Sequence, residues 1–214
     1  MTLLYCVRHG ETDWNRQRRW QGHTDQPLNA EGRSHAEAAA EALAGVPFAS
    51  VVSSDLRRSL DTAAPLAARL GLAVQSEPGL REVDVGSWAG LTREQAFAAD
   101  PDAARRHAAG ETGWTDGETY EQMMTRAATA ARAIADAHEA DDRVAVFTHG
   151  GVIRGLAAHV LGVDSAAARL HLRAVAHVSL TVVRVPRARR ARTWQLARYN
   201  HHLVELALSP DDVT

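Results

Sequence analysis

The chain has 214 residues, 45% of them hydrophobic and 23% charged, with a formal net charge of −2. This is the balance of a globular protein with length for one substantial core, and it offers no global attraction for nucleic acid or an anionic membrane. All 24 Lys+Arg positions are arginine, which excludes Schiff-base lysine chemistry, and the single cysteine excludes an internal disulfide or a Cys-cluster zinc site.

The first element is the apolar run Leu3-Leu4-Tyr5-Cys6-Val7, which predicts a buried strand over 3–8 with Cys6 as a small core residue. Residues 31–44 are alanine-rich and close at Gly45, as a helix with a C-terminal stop does. Phe48 to Ser53 reads as a short strand. Asp55 is positioned to cap a helix running through Arg69, with Gly71 just past its end, and Leu72 to Gln75 is another short strand. Residues 80–91 form a glycine-punctuated loop, and Thr92 caps a short helix ending near Asp100-Pro101. Weak periodicity and several glycines mark 101–117 as an excursion, and Thr119 to Glu139 reads as a long helix. Val144 to Thr148 is β-rich, and Gly150-Gly151 opens a helix that ends before Gly162. Two late β-rich runs, Val175–Val185 and Thr193–Leu206, flank Pro186 to Arg192 as a hairpin.

This alternation predicts an α/β fold: a three-layer sandwich with a mostly parallel sheet, helices on both faces and antiparallel pairing near the C-terminus. Residues 1–214 are read as one domain with a lid-like excursion at about 101–117. No basic leader precedes a long apolar stretch, and no run approaches the roughly 18 apolar residues of a membrane span. A cytoplasmic protein is expected.

Three strand ends carry anion-binding side chains, and open α/β sheets bind ligands at the carboxyl ends of their strands. The first supplies Arg8-His9-Gly10-Glu11-Thr12. A neutral imidazole is a competent nucleophile toward phosphorus if the phosphoryl oxygens are held, and Arg8 offers a bidentate fork for them. Gly10 allows close backbone approach and leaves a carbonyl to fix the His9 tautomer. The second, Ser53-Ser54-Asp55-Leu56-Arg57-Arg58, opens a helix whose N-terminus favours anions and places Arg58 in the first turn. The third, Thr148-His149-Gly150-Gly151, adds His149 as a donor with the Gly150 amide beside it. Glu82, in the segment Leu80 to Thr92, is the acid for a leaving oxygen, since burial beside phosphate charge favours its protonated form.

The motifs R-H-G-E-T-x-x-N (Arg8 to Asn15), S-S-D-L-x-R-x-x-x-T-A (Ser53 to Ala63), L-R-E-x-x-x-G-x-W-x-G-L-T (Leu80 to Thr92) and T-H-G-G (Thr148 to Gly151) together resemble the histidine phosphatase superfamily. The similarity is to the branch of cofactor-dependent phosphoglycerate mutases and their phosphatase relatives, and it covers Leu3 to about Val204. It implies that His9 becomes phosphohistidine and that Glu82 donates a proton and then activates water. It also implies that Arg8, Arg58 and His149 hold the phosphoryl oxygens while Asn15, Gln21, Gly22 and Gly150 line the phosphate pocket. Neither a metal nor another cofactor is implied. The partner is a small-molecule phosphomonoester rather than nucleic acid or membrane, and a homodimer is left open.

The mutases of this branch carry a longer excursion with Arg-Arg-x-Tyr-Asp and a proline-rich stretch. Here Arg105-Arg106 keep the arginine pair without the tyrosine or prolines. A smaller lid admits water to the phosphohistidine, which favours a phosphomonoester hydrolase acting on sugar phosphates or phosphoglycerate-type esters. A cofactor-dependent phosphoglycerate mutase is the alternative, and a non-catalytic phosphate-ester-binding regulator is a third. Arg105-Arg106 favour substrates with a second anionic group. Residues 101–113 with Trp114 are read as a substrate-facing lid, and Trp20, Trp88 and Trp114 are assigned to loops, with Trp20 either shaping the pocket rim or serving ordinary packing. The basic stretch Arg184 to Arg192 reads as a solvated hairpin tip.

Overall fold

A computed structural model describes residues 1–186 and 193–203. Six strands form one sheet in the order β3-β2-β4-β1-β5-β6. They are β1 (Thr2–Arg8), β2 (Ser50–Ser53), β3 (Val74–Ser76), β4 (Arg143–Thr148), β5 (Ser179–Val185) and β6 (Gln195–His202). The helices are α1 (Asp13–Arg16), α2 (Ala30–Leu43), α3 (Arg57–Leu70), α4 (Arg93–Ala99), α5 (Pro101–Ala108), α6 (Tyr120–Asp136), α7 (Gly150–Leu161) and α8 (Ser165–His171). The pairs β1–β4, β2–β4 and β2–β3 are parallel, whereas β5 runs antiparallel to both β1 and β6. This is the mixed, mostly parallel α/β sheet expected from the order of elements.

The period-2 geometry of a strand sends alternate residues to opposite faces. On β4, Val144 and Val146 join a core with Leu4, Cys6 and the α6 and α7 residues Met123, Ala127, Ile153 and Leu156. Ala145 and Phe147 join the opposite core with Val7, Val51 and the α2 and α3 residues Ala40, Leu43, Ala63 and Leu66. Burial on both faces is why β1 and β4 read as continuous apolar runs rather than as alternating ones.

Several boundaries differ from expectation for local reasons. Asp55 does not cap α3; Leu56 occupies that position without a side-chain bond. Asp55 instead forms an ion pair with Arg81, and Asp25 Oδ1 accepts the Arg57 amide at 2.7 Å. The excursion contains a regular helix, α5, because Pro101 sits at its first position and Asp100 accepts the Asp102 amide at 3.0 Å. Helix α8 was not foreseen, and it replaces the region between α7 and the late strands. Only 179–185 of the first late run is strand, and the second is strand over 195–202. Arg187 to Arg192 and Leu206 lie outside the described residues. Among the described residues no helix is long and apolar enough to cross a membrane.

The parallel strands bring three chain segments to one sheet edge. Arg8 is in register with Thr148, and Ser53 with Phe147. The ladders run one residue further, with the His9 amide donating to Thr148 O and the Ser54 amide to Phe147 O, both at 2.9 Å.

Candidate active site

At that edge lies a cavity of about 390 Å³ whose wall includes Arg8, His9, Asn15, Gln21, Gly22, Arg58, Glu82 and Gly151. His9 is only 3% exposed. Its Nδ1 lies 2.7 Å from Gly10 O, and a carbonyl can only accept, so Nδ1 carries the proton and Nε2 keeps its lone pair. The Gly10 amide donates to Thr62 Oγ1 at 3.0 Å, and Thr62 Oγ1 donates to Arg58 O at 2.6 Å. The tautomer-fixing loop is thereby tied to α3. A Cβ on Gly10 would come within 2.5 Å of Gly32 O, so only glycine permits this approach to α2. Burial first, then the charge of Arg58 and the neighbouring His149 and Arg8, push the His9 pKa well below that of a free imidazole. His9 is therefore neutral at pH 7.

Arg58 is fully buried. Its Nη2 donates to Gly22 O and its Nη1 to Thr24 O, each at 2.8 Å, and its Nε donates to His149 Nδ1 at 3.3 Å. A guanidinium has five N–H groups, so two on the Nη atoms remain uncommitted. Arg8 donates Nη1 to Val175 O at 2.5 Å, while its Nε is buried without a partner. Burial lowers both arginines to a pKa of about 10, and the Glu82 charge opposes that shift; both stay protonated at neutral pH.

His149 caps α7 by position and is fully buried. Because Arg58 Nε must donate, His149 Nδ1 accepts, and its Nε2–H is directed to Ser54 Oγ at 2.9 Å. Its ring lies 5.2 Å from the His9 ring but is not part of the cavity wall. The geometry thus places His149 behind His9 and Arg58, with both ring nitrogens engaged by protein. Gly150, the first residue of α7, lies against the Arg8 side chain.

Glu82 reaches the cavity from the loop after β3. Its Oε1 accepts the Val83 amide at 2.9 Å and its Oε2 accepts the Gly151 amide at 3.0 Å. Sequence reasoning missed what holds this loop. Arg126, on α6, donates to the carbonyls of Gly79 and Arg81 at 2.9 Å and of Glu82 at 3.1 Å, and it pairs with Glu118. His23 Nε2 also donates to Glu82 O at 2.8 Å. Asn15 and Gln21 reach the cavity too, although Asn15 Oδ1 accepts from the Thr12 amide at 3.1 Å and Gln21 Oε1 from Thr12 Oγ1 at 3.1 Å.

The outer wall departs most from expectation. Trp88 and Trp114 are core residues, 4% and 3% exposed. With Trp20 they form a three-indole cluster whose ring centroids lie 5.4 to 5.6 Å apart. Helix α5 rides on this cluster through His107. Neither Arg105 nor Arg106 lines the cavity. Arg106 is spent on Asp100 and the Gly113 carbonyl, and Arg105 is exposed and pairs with Asp102. The positions reaching the cavity are instead His107, Tyr120, Arg154 and Arg169. Arg154 follows Gly150 by four residues and so shares its helix face, a signal present in the sequence. Arg169 lies on the unforeseen α8.

The family described as the histidine phosphatase superfamily (branch 1) matches residues 4–202. The chain is 40% identical over 158 residues to phosphoglycerate mutase-like protein 4 of Arabidopsis thaliana, covering 72% of this chain and 68% of that one. It is 39% identical over 173 residues to a glucosyl-3-phosphoglycerate phosphatase of Mycobacterium tuberculosis, covering 74% of each. The solved structure of a mycobacterial glucosyl-3-phosphoglycerate phosphatase with VO3 superposes with a TM-score of 0.80 at 35% identity, covering 93% of this chain and 99% of that one.

Proposed function

The chain belongs to branch 1 of the histidine phosphatase superfamily, and on that premise we propose that it hydrolyses small phosphomonoesters through a phosphohistidine at His9. The observation that carries this reading is the His9 tautomer: a neutral ring with Nδ1–H held by Gly10 O, beside the buried Arg58 and the half-buried Arg8.

In the first half-reaction His9 Nε2 attacks phosphorus and the bond to the leaving oxygen breaks. Glu82 gives its proton to that oxygen, and the alcohol departs. In the second, water attacks the phosphohistidine, Glu82 takes a water proton, and the N–P electron pair returns to Nε2 as phosphate leaves. One ester and one water are converted to one alcohol and one phosphate. Arg8, through its unpartnered Nε, and Arg58, through its two uncommitted N–H groups, supply the charge that spreads over the phosphoryl oxygens. His149 acts by orienting Arg58 and packing against His9, and the Gly151 amide at the α7 N-terminus together with the Val83 amide orients Glu82. Asn15, Gln21 and Gly22, on the cavity wall, complete the phosphate end, and Gly150, which is not on that wall, backs Arg8. The arginine charge takes the place of a metal ion in this scheme.

Phosphate release from an aryl phosphate and from 3-phosphoglycerate tests the reading. His9→Ala should abolish turnover, and a quench at high pH should trap phosphate on His9 of the active protein. Substantial turnover without His9 refutes the nucleophile. Conversion of 3-phosphoglycerate to 2-phosphoglycerate that requires added 2,3-bisphosphoglycerate replaces the hydrolase with the mutase.

A further inference from the structure

The catalytic scheme leaves one part of the cavity unused. Besides the residues of that scheme, its wall carries Arg154 from α7 and Arg169 from α8. No ion pair to either forms among the described residues. Arg154 Nε is buried without a hydrogen-bond partner, although the guanidinium also hydrogen-bonds the Tyr199 side chain, which brings no counter-charge. The Arg169 guanidinium lies 4.8 Å from the Tyr120 ring centroid, and among the described residues its hydrogen bonds are to neutral carbonyls, those of His107, Gly110 and Glu111 at 3.2 to 3.4 Å. The whole cavity wall holds Arg8, Arg19, Arg58, Arg154 and Arg169 against one carboxylate, Glu82.

Desolvating a guanidinium without a counter-charge is unfavourable, and a wall with this excess is complementary to more negative charge than one phosphoryl group brings. A cavity of about 390 Å³ has room for one small molecule that carries both charges. Resting on the phosphatase reading, we propose that Arg154 and Arg169 form a second anion subsite that selects phosphomonoesters whose leaving alcohol bears a carboxylate or a second phosphate. A planar fork suits either oxyanion. Arg105 and Arg106, which suggest such a preference in the sequence, are not its source.

The test uses pairs of substrates that differ only in the second group. 3-Phosphoglycerate against glycerol 3-phosphate reads a carboxylate, and fructose 1,6-bisphosphate against fructose 6-phosphate reads a phosphate. An aryl phosphate reports the chemistry alone. The protein should favour the doubly anionic member of at least one pair by about tenfold or more in kcat/KM, and that pair identifies the anion. R154Q and R169Q should collapse the ratio, chiefly through KM, and R154K should retain part of it. No preference in either pair overturns the subsite, as does a preference that survives both glutamine variants. If R154Q fails to fold, R169Q and R154K decide, and a ratio unchanged in both overturns it. Hydrolysis of the aryl phosphate with no such preference refutes the subsite alone. Failure on every ester refutes the phosphatase reading with it.

Discussion

Lowering the pH from 7.5 to 5.5 should destabilise this protein well before any carboxylate titrates. Three imidazoles, the buried His9 and His149 and the half-buried His177, have pKa values well below 6.5, in each case because desolvation disfavours the cation and arginine charge adds to that. For each, the folded state holds the ring neutral while the unfolded chain binds a proton near pH 6.5. The unfolded state therefore gains protons first as pH falls, and the stability present above 6.5 is lost progressively below it. At pH 5.5, one unit below the unfolded value, each group costs at most about 1.4 kcal/mol, the limit for a ring that stays neutral in the fold. The three together cost at most about 4 kcal/mol. His107, half-buried, and His159, exposed with its ring against Trp194, are also lowered and act in the same direction. The partnered carboxylates Asp55 and Glu118 are held below their usual range, so their contribution is lost only at more acid pH. For a chain of this length, about 4 kcal/mol corresponds to a fall in Tm of roughly 8–16 °C. Thermal melts in phosphate-free buffer across this window measure it, and His177→Gln should remove about a third of the slope. A Tm that is flat between pH 7.5 and 5.5 refutes the buried, neutral state of these rings.

Three further outcomes follow from particular contacts. Gly10→Ala should lower stability by about 1–3 kcal/mol and reduce kcat, since its Cβ meets the Gly32 backbone and the loop that fixes His9 must give; an unchanged melt and rate contradict the close approach. Arg126→Gln should lower kcat by about tenfold for alkyl phosphates and less for activated aryl phosphates, because it frees the loop that aims Glu82; equal losses on both assign Arg126 a stability role only. Arg105→Ala should leave the melt within about 0.5 kcal/mol, whereas Arg106→Ala should destabilise measurably by releasing Asp100 and Gly113; equal melts for the two variants contradict the different environments.

The parts of the fold legible in the sequence are those fixed by local rules. Thr92 and Thr119 cap their helices with Gln95 and Gln122 at the third position, and Gly71 and Gly162 end theirs in the left-handed region. Each of these signals lies within a few residues of the boundary it sets. Asp55 shows where such reading stops. Its spacing from α3 suits a cap, but Arg81, distant in sequence, offers a bidentate ion pair, and only the tertiary fold reveals that competitor.

The same distinction divides the site. His9, Arg58, Glu82 and the α7 N-terminus lie at or near the carboxyl edge of the sheet, so strand order and element type suffice to bring them together. The substrate end is built differently. Trp20, Trp88 and Trp114 come from three separate loops, and their positions depend on mutual burial, which no local pattern encodes. Arg106 looks free as part of a charged pair in sequence, yet Asp100 and the Gly113 carbonyl consume it to close the α5 turn. That closure sets His107 against the indoles and leaves the second charge on the cavity wall to arginines from other segments, Arg154 and Arg169 among them. Phosphoryl chemistry is thus specified by short segments at strand ends, and discrimination among alcohols by long-range packing. Substitutions in α5 or α8 are accordingly expected to alter KM ratios among substrates while leaving the His9 and Arg58 environment intact.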